Sequence, residues 1–231
     1  MKTIGLLGGM SWHSTELYYR LLNEGVQRRL GGLHSAKILL SSVDFDEIAS
    51  YQQNNQWDKA GERLADQAFR LQQAGADFIV IGTNTMHISV PLIERAIDIP
   101  VLHIADATAE AIIEAGYHSA GLLGTRFTMQ MDYYQSRLEK RGLRVLVPDD
   151  FACTRINDVI FEELCYGDIQ DASKQDYLGF IDQLVNKGAQ CIIEGCTEIT
   201  LLVKQEDTAI PLFDTTAIHA AAAVDFALAD E

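Results

Sequence analysis

Gly5-Leu6-Leu7-Gly8 near the start of the chain returns in its middle as Gly121-Leu122-Leu123-Gly124. Each stretch is a short apolar run ending in glycine. Each is followed by a helical segment carrying a tyrosine pair, Tyr18-Tyr19 and Tyr133-Tyr134. Further on, Gly75-Ala76, an apolar run and Gly82-Thr83-Asn84-Thr85 return as Gly188-Ala189, an apolar run and Gly195-Cys196-Thr197-Glu198. Ile99-Pro100-Val101-Leu102 returns as Ile210-Pro211-Leu212-Phe213. Three blocks in the same order and at nearly constant spacing mark an internal duplication.

Outward from these blocks, apolar runs alternate with amphipathic stretches. The expected strands are Thr3–Gly8, Lys37–Val43, Asp77–Ile81, Val101–Ile104, Ala120–Leu123, Leu143–Val147, Cys191–Glu194 and Leu212–Phe213. Between them the expected helices are Ser14–Arg29, Asp58–Ala74, Asp106–Ala115, Met129–Arg141 and Lys174–Lys187. Alternating strand and helix predicts an α/β fold with mostly parallel sheets flanked by helices. The duplication predicts two such lobes related by an approximate twofold: 1–103 with 214–231, and 104–213.

Composition narrows the function. The chain has 231 residues, 48% hydrophobic and 22% charged, an ordinary globular balance. Lys plus Arg number 18 against 33 Asp plus Glu, a net charge of −15 that repels a phosphate backbone. Nucleic acid is therefore not an expected partner. No apolar run approaches the roughly 18 residues of a membrane span, and Met1–Gly5 enters a strand too soon for a signal peptide. Cys153, Cys165, Cys191 and Cys196 lack metal-ligand spacing. Reduced thiols in a cytoplasmic protein are the expectation.

Parallel sheets bind ligands beyond the carboxyl ends of their strands. There Thr83 and Cys196 hold equivalent positions, each after a strand and a glycine and each before an expected helix. A twofold would place them on opposite sides of one small ligand in a cleft between the lobes. Backbone N–H groups at such a turn hold a carboxylate and lower a thiol pKa. Cys191 and Cys165 read instead as small buried hydrophobes, and Cys153 falls in a loop-like stretch.

These residues carry a family resemblance. Gly5-Leu6-Leu7-Gly8-Gly9-Met10-Ser11-Trp12 with Ser14-Thr15, Asn84-Thr85-Met86-His87 and Glu194-Gly195-Cys196-Thr197-Glu198 are similar to the aspartate/glutamate racemase family, from Ile4 to about His219. The resemblance implies paired α/β domains, a homodimer, and racemisation of an acidic amino acid without a cofactor. One cysteine from each domain then serves each face of the α-carbon. Thr83 stands where the family has the first cysteine. Its hydroxyl is a far weaker acid than a thiol of pKa about 8.5, so Cys196 is expected as principal base, acting from the L side.

The resemblance extends to the binding residues. Asn84, Thr85 and Thr197 would hold the α-carboxylate, and Met10 and Ser11 would close the floor. Glu198 resembles a position that meets the substrate ammonium. Arg126, after the Gly124-Thr125 turn, is the cation best placed for a distal carboxylate, with Thr125 beside it. Gln52, expected in the polar loop after the second strand, is a neutral candidate. His87 reads as a hydrogen-bonding brace. No lysine falls in a repeated block, so no Schiff-base cofactor is expected. Two alternatives share the same residues: a cysteine-dependent isomerase or decarboxylase of small dicarboxylates, and a small-anion binding protein with reduced catalysis.

Overall fold

β1 (Ile4–Gly8) is buried along its whole length, as five apolar or glycine residues require of a central parallel strand. It lies between β2 (Ile38–Ser42) and β3 (Phe78–Ile81), and β4 (Val101–Leu102) completes a parallel sheet of order β2-β1-β3-β4. This computed structural model describes residues 1–229. The first of its two compact units comprises Met1–Ile104 with the chain from His219 onward.

Alternate side chains of that sheet enter two cores. Leu7, Ile79 and Ile81 pack on Leu64 and Ala68 of α3 (Trp57–Gln73) and on Ile93 of α4 (Val90–Ala96). Ile4, Leu6, Phe78 and Val80 pack on Tyr18, Leu22 and Val26 of α1 (Trp12–Leu30) and on Val224 of the final helix, α11 (Thr215–Leu228). α2 (Phe45–Gln53) starts where the Asp44 carboxylate accepts from the Asp46 N–H. Gln52 therefore sits on a helix and not in the loop expected of it.

The second unit, Ala105–Ile218, repeats the topology. β5 (Ser119–Gly124), β6 (Arg144–Leu146), β7 (Cys191–Gly195) and β8 (Leu212–Asp214) run parallel in the order β6-β5-β7-β8. α5 (Ile104–Glu114) leads in, and α9 (Asp171–Asn186) packs Leu184 against β5 at Gly121. The expected Met129–Arg141 helix is two helices, α6 (Arg126–Gln130) and α7 (Asp132–Lys140), because Met131 takes an extended ψ of 141°. The stretch expected as loop around Cys153 is α8 (Asp150–Asp158), started by the Asp149 side chain accepting from Ala152 N–H. It continues through a π-helical turn, Val159–Glu163, into a 3-10 turn, Leu164–Tyr166. Cys165 on that turn is exposed, contrary to its reading as a buried hydrophobe, whereas Cys191 is buried.

The boundary between units falls after Ile218, within α11, and not at 213/214. The helix start belongs with the second sheet because Thr215 Oγ1 donates to the Glu194 carbonyl and Asp214 pairs in register with Glu194.

Gly9 closes β1 at φ 89°, and a Cβ there would lie 2.2 Å from the Val43 carbonyl oxygen. The left-handed backbone costs a side chain about 1 kcal/mol and the backbone overlap more. Gly9→Ala is expected to lower unfolding free energy by at least about 2 kcal/mol, read from urea midpoints.

Candidate functional site

The carboxyl ends of the sheet strands position nearly every residue singled out above. At the end of β1, Gly9 N–H donates to Thr15 Oγ1 at 2.8 Å, and that hydroxyl donates to the Ser11 carbonyl at 2.9 Å. Ser11 caps α1 by accepting from Ser14 N–H. Met10 is buried, and the Met10–Ser11 peptide is cis. Gln52 Nε2 reaches the buried Met86 Sδ at 3.0 Å, so α2 is tied to the turn after β3.

That turn holds Thr83, Asn84 and Thr85, the last two buried. His87 braces it. The Thr83 carbonyl can only accept, so His87 Nδ1–H is the donor at 2.8 Å, and Nε2 accepts from Ile104 N–H at 3.2 Å. Both ring nitrogens are used by the neutral tautomer alone. Burial, with His103 and His219 close by, holds the His87 pKa well below 6.5. His219 Nε2 donates to Leu102 O at 2.9 Å and Nδ1 receives Tyr18 OH at 2.8 Å; burial brings its pKa down to about 4. Sequence reading treated these histidines singly, and only the fold shows them clustered, His87 and His103 being tilted at 56° with ring centroids 4.6 Å apart.

In the second unit, β7 ends at Gly195 and presents Cys196. The thiol donates to Glu198 Oε2 at 2.9 Å, and Thr197 Oγ1 donates to the same oxygen at 3.0 Å. One carboxylate thus gathers three of the expected site residues. Burial first, then the Glu198 charge and hydrogen bond, push the Cys196 pKa well above 9. The expected lowering by a helix N-terminus does not occur. α10 (Ile199–Leu202) has only four residues, too few for a useful dipole, and a carboxylate sits on the sulfur.

Thr125 caps α6, accepting from Thr128 N–H, and Arg126 beside it is exposed with Nε on Gln130 Oε1 at 2.8 Å. Arg155, which was not singled out as a site cation, is committed elsewhere: it meets Asp176, Glu163 and Ser173 Oγ and fixes the π-helical turn to α9. Glu163, on that turn, is thereby ion-paired. Among the described residues no group of His, Cys, Asp or Glu is arranged to hold a metal.

Glu194 was missed, although an acid in the apolar run Cys191-Ile192-Ile193 was its signal. It is 5% exposed, and its Oε1 has no hydrogen-bond partner. Burial, then the facing Asp214, raise its pKa to about 7, opposed by Lys204.

The repeated β-α units define an α/β protein with two parallel sheets of the same strand order. Residues 7–223 match the Asp/Glu/Hydantoin racemase family, and the chain belongs to that family. It is 25% identical to the broad specificity amino-acid racemase RacX of Bacillus subtilis across 98% of each chain. A Yersinia pestis structure solved as a candidate Asp/Glu racemase superposes with a TM-score of 0.94 at 52% identity, covering 99% of this chain and all of that one. An aspartate racemase homologue from Pyrococcus horikoshii OT3 superposes with a TM-score of 0.85 at 33% identity, covering 98% and 99%. Among the described residues no helix is long and apolar enough to cross a membrane.

The buried groups give opposite pH signatures. Stability supported by neutral His87 and His219 is complete above about pH 6.5 and drains away as pH falls toward 4. Glu194 acts the other way, since its folded pKa is raised: the ionisation penalty is absent below 4.5 and grows as pH rises through 7. Glu194→Gln is expected to match wild type at pH 4 and to exceed it by up to about 3 kcal/mol at pH 8, measured by urea unfolding.

Proposed function

We propose that this chain racemises an acidic amino acid, L-aspartate or L-glutamate, without a cofactor, as a cytoplasmic homodimer. The observation that carries the reading is the Cys196 thiol with its proton directed at Glu198 Oε2, 2.9 Å away. A thiol so placed passes its proton to the carboxylate as the sulfur takes the proton from the α-carbon. Charge is then exchanged within a short chain of atoms, and a free thiolate need not accumulate beside an acid. Glu198 is accordingly assigned to the thiol proton, in addition to the ammonium contact the family resemblance implies.

Thr83, at the equivalent strand end of the first unit, is the second proton-handling group. Its hydroxyl is a poor base, so it returns a proton to the carbanion directly or through water and rarely abstracts one. Asn84, Thr85 and Thr197 are assigned to the α-carboxylate, and Met10 and Ser11 to the floor through their backbone. Arg126 and Thr125 are the candidates for a distal carboxylate, with Gln52 as a neutral one.

Proton NMR of L-aspartate and L-glutamate in D2O tests the reading. Deuterium is expected to enter the α-position with retention faster than with inversion. Cys196→Ala is expected to remove exchange by at least about 10³-fold with the fold intact; full activity in that variant defeats the mechanism. Glu198→Gln discriminates between two roles. If the carboxylate receives the thiol proton, exchange falls by about 10²-fold; if it only opposes the thiolate, exchange rises. Thr83→Cys is expected to speed inversion and to permit exchange from the D enantiomers.

A further inference from the structure

Edge strands offer unpaired backbone groups to other chains, and proteins blunt them by shortness or charge. Three of the four sheet edges here are blunted. β4 has two residues, β6 has three and begins with exposed Arg144, and β8 has three and ends in Asp214. β2 is different: five residues, Ile-Leu-Leu-Ser-Ser, with neither charge nor proline. Leu39 turns to the core beneath α3, so Leu40 and Ser42 face the α1 side. They line a groove of about 390 Å³ with Trp12, Glu16 and Tyr19. Leu40 is 48% exposed, Trp12 62% and Tyr19 54%, a cluster of large apolar groups beside an open strand edge.

We infer that the β2 edge is an interface for a second copy of this chain, the two β2 strands pairing antiparallel about a twofold at Leu40. The surface is complementary to itself. In that register Ile38 meets Ser42 of the second copy, Leu40 meets Leu40, and no charge is buried. Outside the strand, α1 alternates in sign at four-residue spacing: Glu16, Arg20, Glu24, Arg28. Two such stripes run antiparallel when the strands do, which sets acid against base between copies. The Arg20–Glu24 pair within one copy is long, at 3.4 Å, and exposed, so its exchange for an intermolecular pair costs little. A peptide partner would fill the edge too, but nothing in the groove selects a peptide, whereas the second copy supplies both the uncharged strand and the alternating helix.

The inference gives a location to the homodimer proposed above, and the experiment separates the two. Sedimentation equilibrium at micromolar protein and about 0.15 M salt is expected to give twice the chain mass of 25.6 kDa. Leu40→Lys is expected to fall to the single mass with an unchanged far-ultraviolet circular dichroism spectrum. Leu40→Cys is expected to cross-link under diamide, which takes one hydrogen from each thiol as the disulfide forms. Wild type treated alike controls for exposed Cys165. A monomeric wild type overturns both homodimer and interface. A dimer that survives Leu40→Lys, or a Leu40→Cys dimer that does not cross-link, overturns the interface alone.

Discussion

The close approach of neighbouring strands at their carboxyl ends governs this structure. A Cβ on Gly195 would lie 2.7 Å from the Leu123 carbonyl oxygen, and one on Gly124 would lie 3.2 Å from the Gly195 carbonyl oxygen. Only glycine permits β5 and β7 to stay paired in register to their last residues, Gly124 and Gly195. Because the ladder runs to the very end, the next residue emerges at a fixed place with its backbone turning away. Cys196 owes its position to that constraint; on the first sheet the β1–β3 ladder stops at Ile81, and Gly82 before Thr83 has ordinary room beside the Leu7 carbonyl.

What those positions do depends on the polar group that each turn recruits. At Thr83 the partner is an imidazole held neutral, bonded to the backbone carbonyl; it fixes geometry and leaves the hydroxyl unengaged by the brace. At Cys196 the partner is a carboxylate bonded to the sulfur itself. Desolvation and a nearby negative charge both oppose the thiolate. Both therefore favour the protonated thiol.

Much of this was legible in the chain. The eight strands follow from apolar runs bounded by glycine, and the duplicated sheet order follows from the repeated blocks. Local chemistry was less legible. α2 and α8 depend on single aspartate caps, Asp44 and Asp149, too little signal to stand out against surrounding polar residues. The break at Met131 is one residue's backbone angle. The state of Cys196 was misread because the sign of a pKa shift depends on what lies within a few ångströms, and a helix was expected where four residues form only a turn. Glu194 and the clustered histidines escaped because burial of a polar group is a tertiary fact.

The two equivalent turns show how a duplicated fold acquires unequal halves. Each has a glycine and small polar residues, although only Gly195 is sterically required, Gly82 having ordinary room. Divergence is concentrated where sterics are indifferent: a hydroxyl or a thiol at one position, a brace or a carboxylate nearby. A thiol at Thr83 would meet a neutral imidazole bonded to the backbone beneath it and no carboxylate within the described bonds of that turn. Such a thiol would lack the acceptor that Cys196 has in Glu198. The asymmetry between the halves thus extends past the side chain at the strand end to the polar group beside it.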